Sequence, residues 1–228
     1  MKDGLTDRIL IVFSSVMMLT AVYMIFFYAP TERVMGIVQK IFYFHLPLAF
    51  MAFLSYFVAF VSGVLYLAKK DIKWDIIGSA SVEIGVVFTT LILITGSLWA
   101  RPIWNTWWTW DPRLTSSLIL WLIYVAYIIL RMSVEQAERR ATFCAVMAIV
   151  GFIDVPIVFL SARLWRTIHP VVIKSKSIDM EPAMISVLAI SMAAFLLFWI
   201  TLIKIRSRVD FMELRIRTLE KIKRGGME

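Results

Sequence analysis

Cysteine is nearly absent from this sequence: Cys144 is the only one, and it lies inside an apolar run. A lone cysteine excludes a disulfide framework, a Cys-x-x-Cys redox or zinc pair, and the Cys-x-x-Cys-His site that attaches haem covalently. Charge is scarce as well. Asp, Glu, Lys and Arg make up 18% of the chain, against roughly 25% in a soluble domain. Hydrophobic residues make up 61%, and they come in long blocks, so an ordinary soluble fold is excluded. No Gly-x-x-x-x-Gly-Lys-Ser/Thr loop occurs, which rules out ATP hydrolysis by that route. A His-Glu-x-x-His helix and a serine elbow are also missing, as are internal repeats and low-complexity segments. Only two histidines are present, His45 and His169.

The apolar blocks run 9–28, 41–68, 76–99, 114–130, 141–160 and 183–203. Crossing roughly 30 Å of hydrocarbon takes about 20 mostly apolar residues. The pattern therefore predicts an all-α polytopic membrane protein with six transmembrane helices, built as one integral domain over 1–228. The first block is longer than the apolar region of a cleaved signal, and no small-x-small site follows it, so it is expected to stay as the first span.

Lys and Arg set the expected orientation. The N-terminus, the 69–75 and 131–140 connections and the 204–228 tail hold 16 of them, against 8 on the other side. This bias places both termini in the cytoplasm. The loops 29–40, 100–113 and 161–182 then face outward, toward the periplasm of a bacterial inner membrane. The same flanks account for the net charge of +8 without any nucleic-acid partner. The tail alternates basic residues with Phe211, Met212, Leu214, Ile216 and Leu219, which suits either an amphipathic helix on anionic membrane lipid or a solvated extension.

The unusual residues gather on the outward side. His45 opens the second span and His169 lies in the last outward loop. Neutral imidazole is a good ligand for haem iron, and two imidazoles could clamp one iron; spacing alone favours the plainer role of interfacial hydrogen bonder. Six of the nine tryptophans lie on this side: Trp99, Trp104, Trp107, Trp108, Trp110 and Trp165. If the stretch from Trp104 is helical, Trp104, Trp107, Trp108 and Asp111 share one face, and Pro112 ends the turn. A flat indole platform suits a porphyrin, and Arg suits its propionates; Arg101, Arg113, Arg163 and Arg166 are on the same side. An ordinary aromatic belt is the alternative, although a belt should populate both interfaces, and the inner one has little beyond Trp74 and Trp199. Asp111 reads as a cap for the fourth span, with orientation of Arg113 as the other role. Glu83 and Asp154 are intramembrane carboxylates, costly enough to count as functional candidates, yet near enough to helix ends for snorkelling or a local hydrogen bond.

The run from Trp104 to Ser116, Trp-Asn-Thr-Trp-Trp-Thr-Trp-Asp-Pro-Arg-Leu-Thr-Ser, resembles the tryptophan-rich WWD signature of haem-handling proteins in cytochrome c biogenesis. Size, span number and three further segments are similar to the C-component family, the haem exporter C proteins. Those segments are Thr95-Gly96-Ser97-Leu98-Trp99, Asp154-Val155-Pro156-Ile157 and Trp165-Arg166-Thr167-Ile168-His169. The resemblance covers about 9–205. It implies non-covalent haem b with His45 and His169 as axial ligands to the iron. The tryptophan loop would hold the macrocycle, making Trp104, Trp107, Trp108, Trp110, Asp111, Arg101, Arg113 and Arg166 the expected binding set. It also implies delivery to a periplasmic haem chaperone of the E type, alongside ABC transporter subunits of the A and B types and a small D-type subunit. The protein would then be a delivery scaffold rather than an enzyme. Two departures stand out: Asn105 where Gly is expected, and Asp154 where Asn is expected. A haem permease and a b-type electron-transfer subunit are the competing readings; the latter is disfavoured because both histidines sit at one mouth.

Overall fold

A computed structural model of the chain describes residues 2–165 and 180–225. His169, Arg166 and the rest of 166–179 lie outside the described residues. Helix α1 (Lys2–Tyr23) runs on through a π turn at Met24–Tyr28, and a short 3-10 turn at Ile37–Ile41 leads into α2 (Phe42–Lys69). Then come α3 (Ile72–Trp104), α4 (Pro112–Ser133), α5 (Ala137–Gly151), α6 (Asp154–Leu164) and α7 (Pro182–Gly225). Among the described residues, six helical stretches are long and apolar enough to cross a membrane, with α5 and α6 together forming the fifth. The protein is an all-α, multi-pass membrane protein. The spans match the six apolar blocks and overrun most of their ends, because polar flanks at a membrane surface continue a helix as readily as apolar ones.

The ends have local causes. Asp71 caps α3, its carboxylate accepting from the backbone N–H of Lys73 at 3.0 Å. The Lys73 side chain holds that carboxyl below the usual range. At the far end, Asn105 takes a left-handed conformation, φ 53°, and stops the helix; after Gly, Asn is among the residues that tolerate this region best. The fifth span breaks at 152–153, where the backbone bonds shorten to Ile153 N–H on Val150 O and Val155 N–H on Phe152 O. Pro156 lacks the N–H that would have reached Phe152 in a continuous helix.

The helices pack through small residues and a few polar anchors. A Cβ added at Gly63 would lie 2.8 Å from the Ala145 carbonyl oxygen, so α2 and α5 approach backbone to backbone only because residue 63 has no side chain. In the centre, the Tyr56 and Tyr124 rings stack at 3.8 Å, and the Tyr56 hydroxyl bonds Thr89 at 2.8 Å. Trp199 donates to Ser55 at 2.7 Å and Trp121 to Thr90 at 2.9 Å.

Ion pairs tie the bundle together at the end where α3 begins. Arg131 grips both oxygens of Asp75 at 2.8 and 2.9 Å. Arg206 does the same to Glu83, so that intramembrane carboxylate is a structural partner of α7. Lys204 and Arg208 both hold Asp7, fastening α1 to α7. The tail, read as either a lipid-lying helix or a solvated extension, is not a separate element. Residues 204–225 continue the last span as one helix, sustained by the i,i+4 pairs Arg206–Asp210 and Glu213–Arg217 and by the lack of Pro or Gly before Gly225.

Candidate haem site

An apolar cleft opens at the opposite end of the bundle, between α2, α3, α4 and α6. The space between its walls, open mouth included, is about 820 Å³. The walls follow helical periodicity. His45, Ala49, Ala52 and Phe53 come from one stripe of α2; Thr89, Ile92, Leu93 and Gly96 from one stripe of α3; Arg113, Ser117 and Leu120 from one stripe of α4. Val158 of α6 closes the floor, and Trp99, Trp104 and Trp108 stand at the rim.

His45 is positioned by its neighbours. Its Nδ1 lies 2.9 Å from the Thr95 hydroxyl, and that hydroxyl donates its only proton to the Leu91 carbonyl at 2.7 Å. With that proton on the Leu91 carbonyl, Thr95 can accept from Nδ1–H, an arrangement that leaves Nε2 as the basic nitrogen of the ring. The Trp99 indole meets the imidazole edge to face, with centroids 6.0 Å apart. Gly96 keeps the wall beside the ring thin: a Cβ there would sit 3.4 Å from His45 Cε1.

The tryptophan run is not a helix. Beyond Trp104 the chain turns at Asn105 and stays irregular to Asp111. The single indole face expected from helical spacing does not form. Trp104 and Trp108 line the cleft, whereas Trp107 and Trp110 are 55% and 76% exposed. Trp108 and Trp110 meet edge to face at 6.0 Å, and the Thr106 hydroxyl holds the turn by donating to Trp108 O at 2.9 Å. Asp111 is the N-cap of α4, accepting from Arg113 N–H at 2.9 Å, and Pro112 is the first helical residue. The capping role expected for Asp111 is the one observed.

The arginines divide. Arg113 lines the cleft, and its guanidinium makes no ion pair among the described residues. Arg101 turns back onto the loop, donating to the Asn105 carbonyl and side-chain oxygens at 2.8 Å each and covering the Trp107 ring. It is not in the cleft wall. Ser117 and Phe53 are site features that the sequence reading did not single out, and Thr95 and Gly96 stood out only as part of the Thr95–Trp99 segment, with no role at the site. The helical offset from His45 to Ala49 and Phe53 carried a signal for that stripe, but nothing in the sequence pairs Thr95 with His45. Asp154 lies one turn before Val158, with one carboxylate oxygen buried and unpartnered, outside the cleft lining.

The profile of the family described as heme exporter protein C matches residues 4–222. A heme exporter protein C of Bradyrhizobium diazoefficiens is 33% identical over 201 residues, covering 87% of this chain and 76% of its own length. That of Rhodobacter capsulatus is 31% identical over 204 residues, 87% of this chain and 84% of its own. That of Escherichia coli K12 is 32% identical over 192 residues, 83% and 78%. With nearly its whole length matched, this chain belongs to the heme exporter protein C family.

Proposed function

We propose that this protein binds haem b non-covalently in the cleft and presents it to a periplasmic haem chaperone for cytochrome c maturation. The family supports a role in haem handling for cytochrome c biogenesis. The finer reading is supported above all by one observation: the Thr95 hydroxyl lies 2.9 Å from Nδ1 of His45 at the wall of an apolar cleft, an arrangement that suits a ring with Nε2 as its basic nitrogen. A ligand to iron needs that nitrogen unprotonated, with its other nitrogen held by a hydrogen bond.

His45 supplies one axial ligand and His169, from the outward loop, the other. Trp104 and Trp108 bear on the macrocycle, and Trp107 and Trp110 offer exposed aromatic surface to the chaperone. Arg113 meets a propionate through the charge-assisted fork that suits carboxylates; Arg166 is the other candidate, and Arg101 acts through the loop. The protein sits in the bacterial inner membrane with both termini cytoplasmic and the cleft toward the periplasm. It works beside ABC subunits of the A and B types and a D-type subunit. It orients haem and does no bond-making chemistry of its own.

A permease would want a polar path through the bundle. Below the cleft the interior is instead filled by the stacked Tyr56 and Tyr124 and by Phe88. The test is transfer: haem-loaded protein in detergent mixed with the soluble domain of an E-type chaperone. Expected is appearance of chaperone-bound haem, abolished by His45→Ala. Haem that stays put with active chaperone, or vesicles that accumulate haem with this protein alone, would overturn the delivery reading.

A further inference from the structure

A second concavity lies at the end of the bundle opposite the cleft, where the Lys- and Arg-rich connections emerge. Ser79 in its wall and Ile92 in the cleft are roughly 20 Å apart along α3, so the two spaces are separate. The groove is formed by α3, α4, α5 and α7 and encloses about 700 Å³, mouth included. Four arginines line it, Arg131, Arg140, Arg206 and Arg217, against three carboxylates, Asp75, Asp210 and Glu213.

Each carboxylate already has its cation. Asp75 is held by Arg131, Asp210 by Arg206 and Glu213 by Arg217, while Arg206 also takes Glu83. Arg140 has no ion pair among the described residues, and its Nε is buried without a hydrogen-bond partner. The Ser79 hydroxyl, 1% exposed, is likewise buried and unpartnered. Buried donors without acceptors are rare in folded proteins and point to a missing ligand. Two such donors in one groove, one of them on the single lining arginine that no carboxylate of the described residues holds, call for a compact anion with several acceptor oxygens.

We propose that this groove binds a phosphate group, with Arg140 and Ser79 donating to its oxygens. Arg140 lies in the first turn of α5, and Arg131 in the last turn of α4. That is the level at which helices leave hydrocarbon for headgroups, and basic pockets between spanning helices at this depth suit anionic lipid. A phospholipid headgroup and a free phosphate present the same chemistry.

The test uses delipidated full-length protein in non-ionic detergent, titrated separately with phosphatidylglycerol, phosphatidylcholine and inorganic phosphate, with binding read by native mass spectrometry and calorimetry. Expected is preferential binding of phosphatidylglycerol, weakened about tenfold in Arg140→Gln and in Ser79→Ala and unchanged in Arg139→Gln, whose side chain is exposed on the same helix. Arg140→Lys keeps the charge without the fork; it is expected to bind at an intermediate level and serves if Arg140→Gln does not fold. Binding of inorganic phosphate with the same mutant pattern would assign the site to a free phosphate; its failure to compete would assign it to a headgroup. Wild-type protein that binds neither anion above phosphatidylcholine, or loses binding equally in Arg139→Gln, would overturn the site.

Discussion

Thr95 is the residue on which the chemistry of His45 depends. With its hydroxyl proton on the Leu91 carbonyl it accepts from the imidazole, and Nε2 is then the basic nitrogen. Thr95→Val keeps the shape and removes the acceptor, freeing the tautomer and ring orientation. Haem affinity of the purified protein is expected to fall about 10-fold or more, while Thr95→Ser, which restores the hydroxyl, should bind within a few-fold of wild type. Equal affinities in Thr95→Val and wild type, measured by haem titration, would remove Thr95 from the site. The sequence made His45 conspicuous by scarcity and Thr95 only as part of the Thr95–Trp99 segment, not the pairing of the two. Thr95 is one of several threonines on α3, and only the packing of α2 against α3 brings it to the ring. Arg101 and Arg113 were equivalent on sequence grounds for a similar reason. Which one enters the cleft follows from the chain turning at Asn105, where Arg101 finds its oxygens locally.

The helices themselves were easier to read, because a span announces itself by length and apolar content. What escaped was how they end and join. Helical spacing in the tryptophan run suggested one indole face, but a left-handed Asn105 and a proline at the first position of α4 leave the intervening residues no helix to belong to. The expected Gly at 105 and the Asn present there serve the same backbone need. The tail reads as amphipathic by composition; local i,i+4 pairs carry it on from α7, while the contacts that fasten its start to the bundle, Arg206 with Glu83 and Arg208 with Asp7, are distant in sequence. Close packing is the other feature of this scale. Gly63→Ala pushes a methyl onto the Ala145 carbonyl, which as backbone cannot rotate away. It should destabilise the protein by about 1–3 kcal/mol, seen as a lower unfolding midpoint in detergent. Gly4→Ala, at a glycine with nothing within 4 Å, is the control and should not lower it. An unchanged midpoint in Gly63→Ala would mean that the α2–α5 approach is looser than described.

At the scale of the whole molecule, the bundle has two unlike ends joined by a filled aromatic centre. One end carries ion pairs and the arginine groove; the other carries the cleft, its tryptophan rim and His45. This polarity was legible in the sequence, since basic residues and tryptophans segregate along the chain to alternate connections. It suits a protein that receives and presents a flat apolar ligand at one face of a membrane. The most direct test is the absorption spectrum of detergent-purified protein from haem-replete cells, wild type beside His45→Ala, His169→Ala and the double variant. A Soret band with low-spin b-type features in the wild type, shifted in each single variant and lost in the double, is the expected result. A double variant that binds haem with the wild-type spectrum would contradict the axial pair and leave the tryptophan rim as a protein-docking surface only.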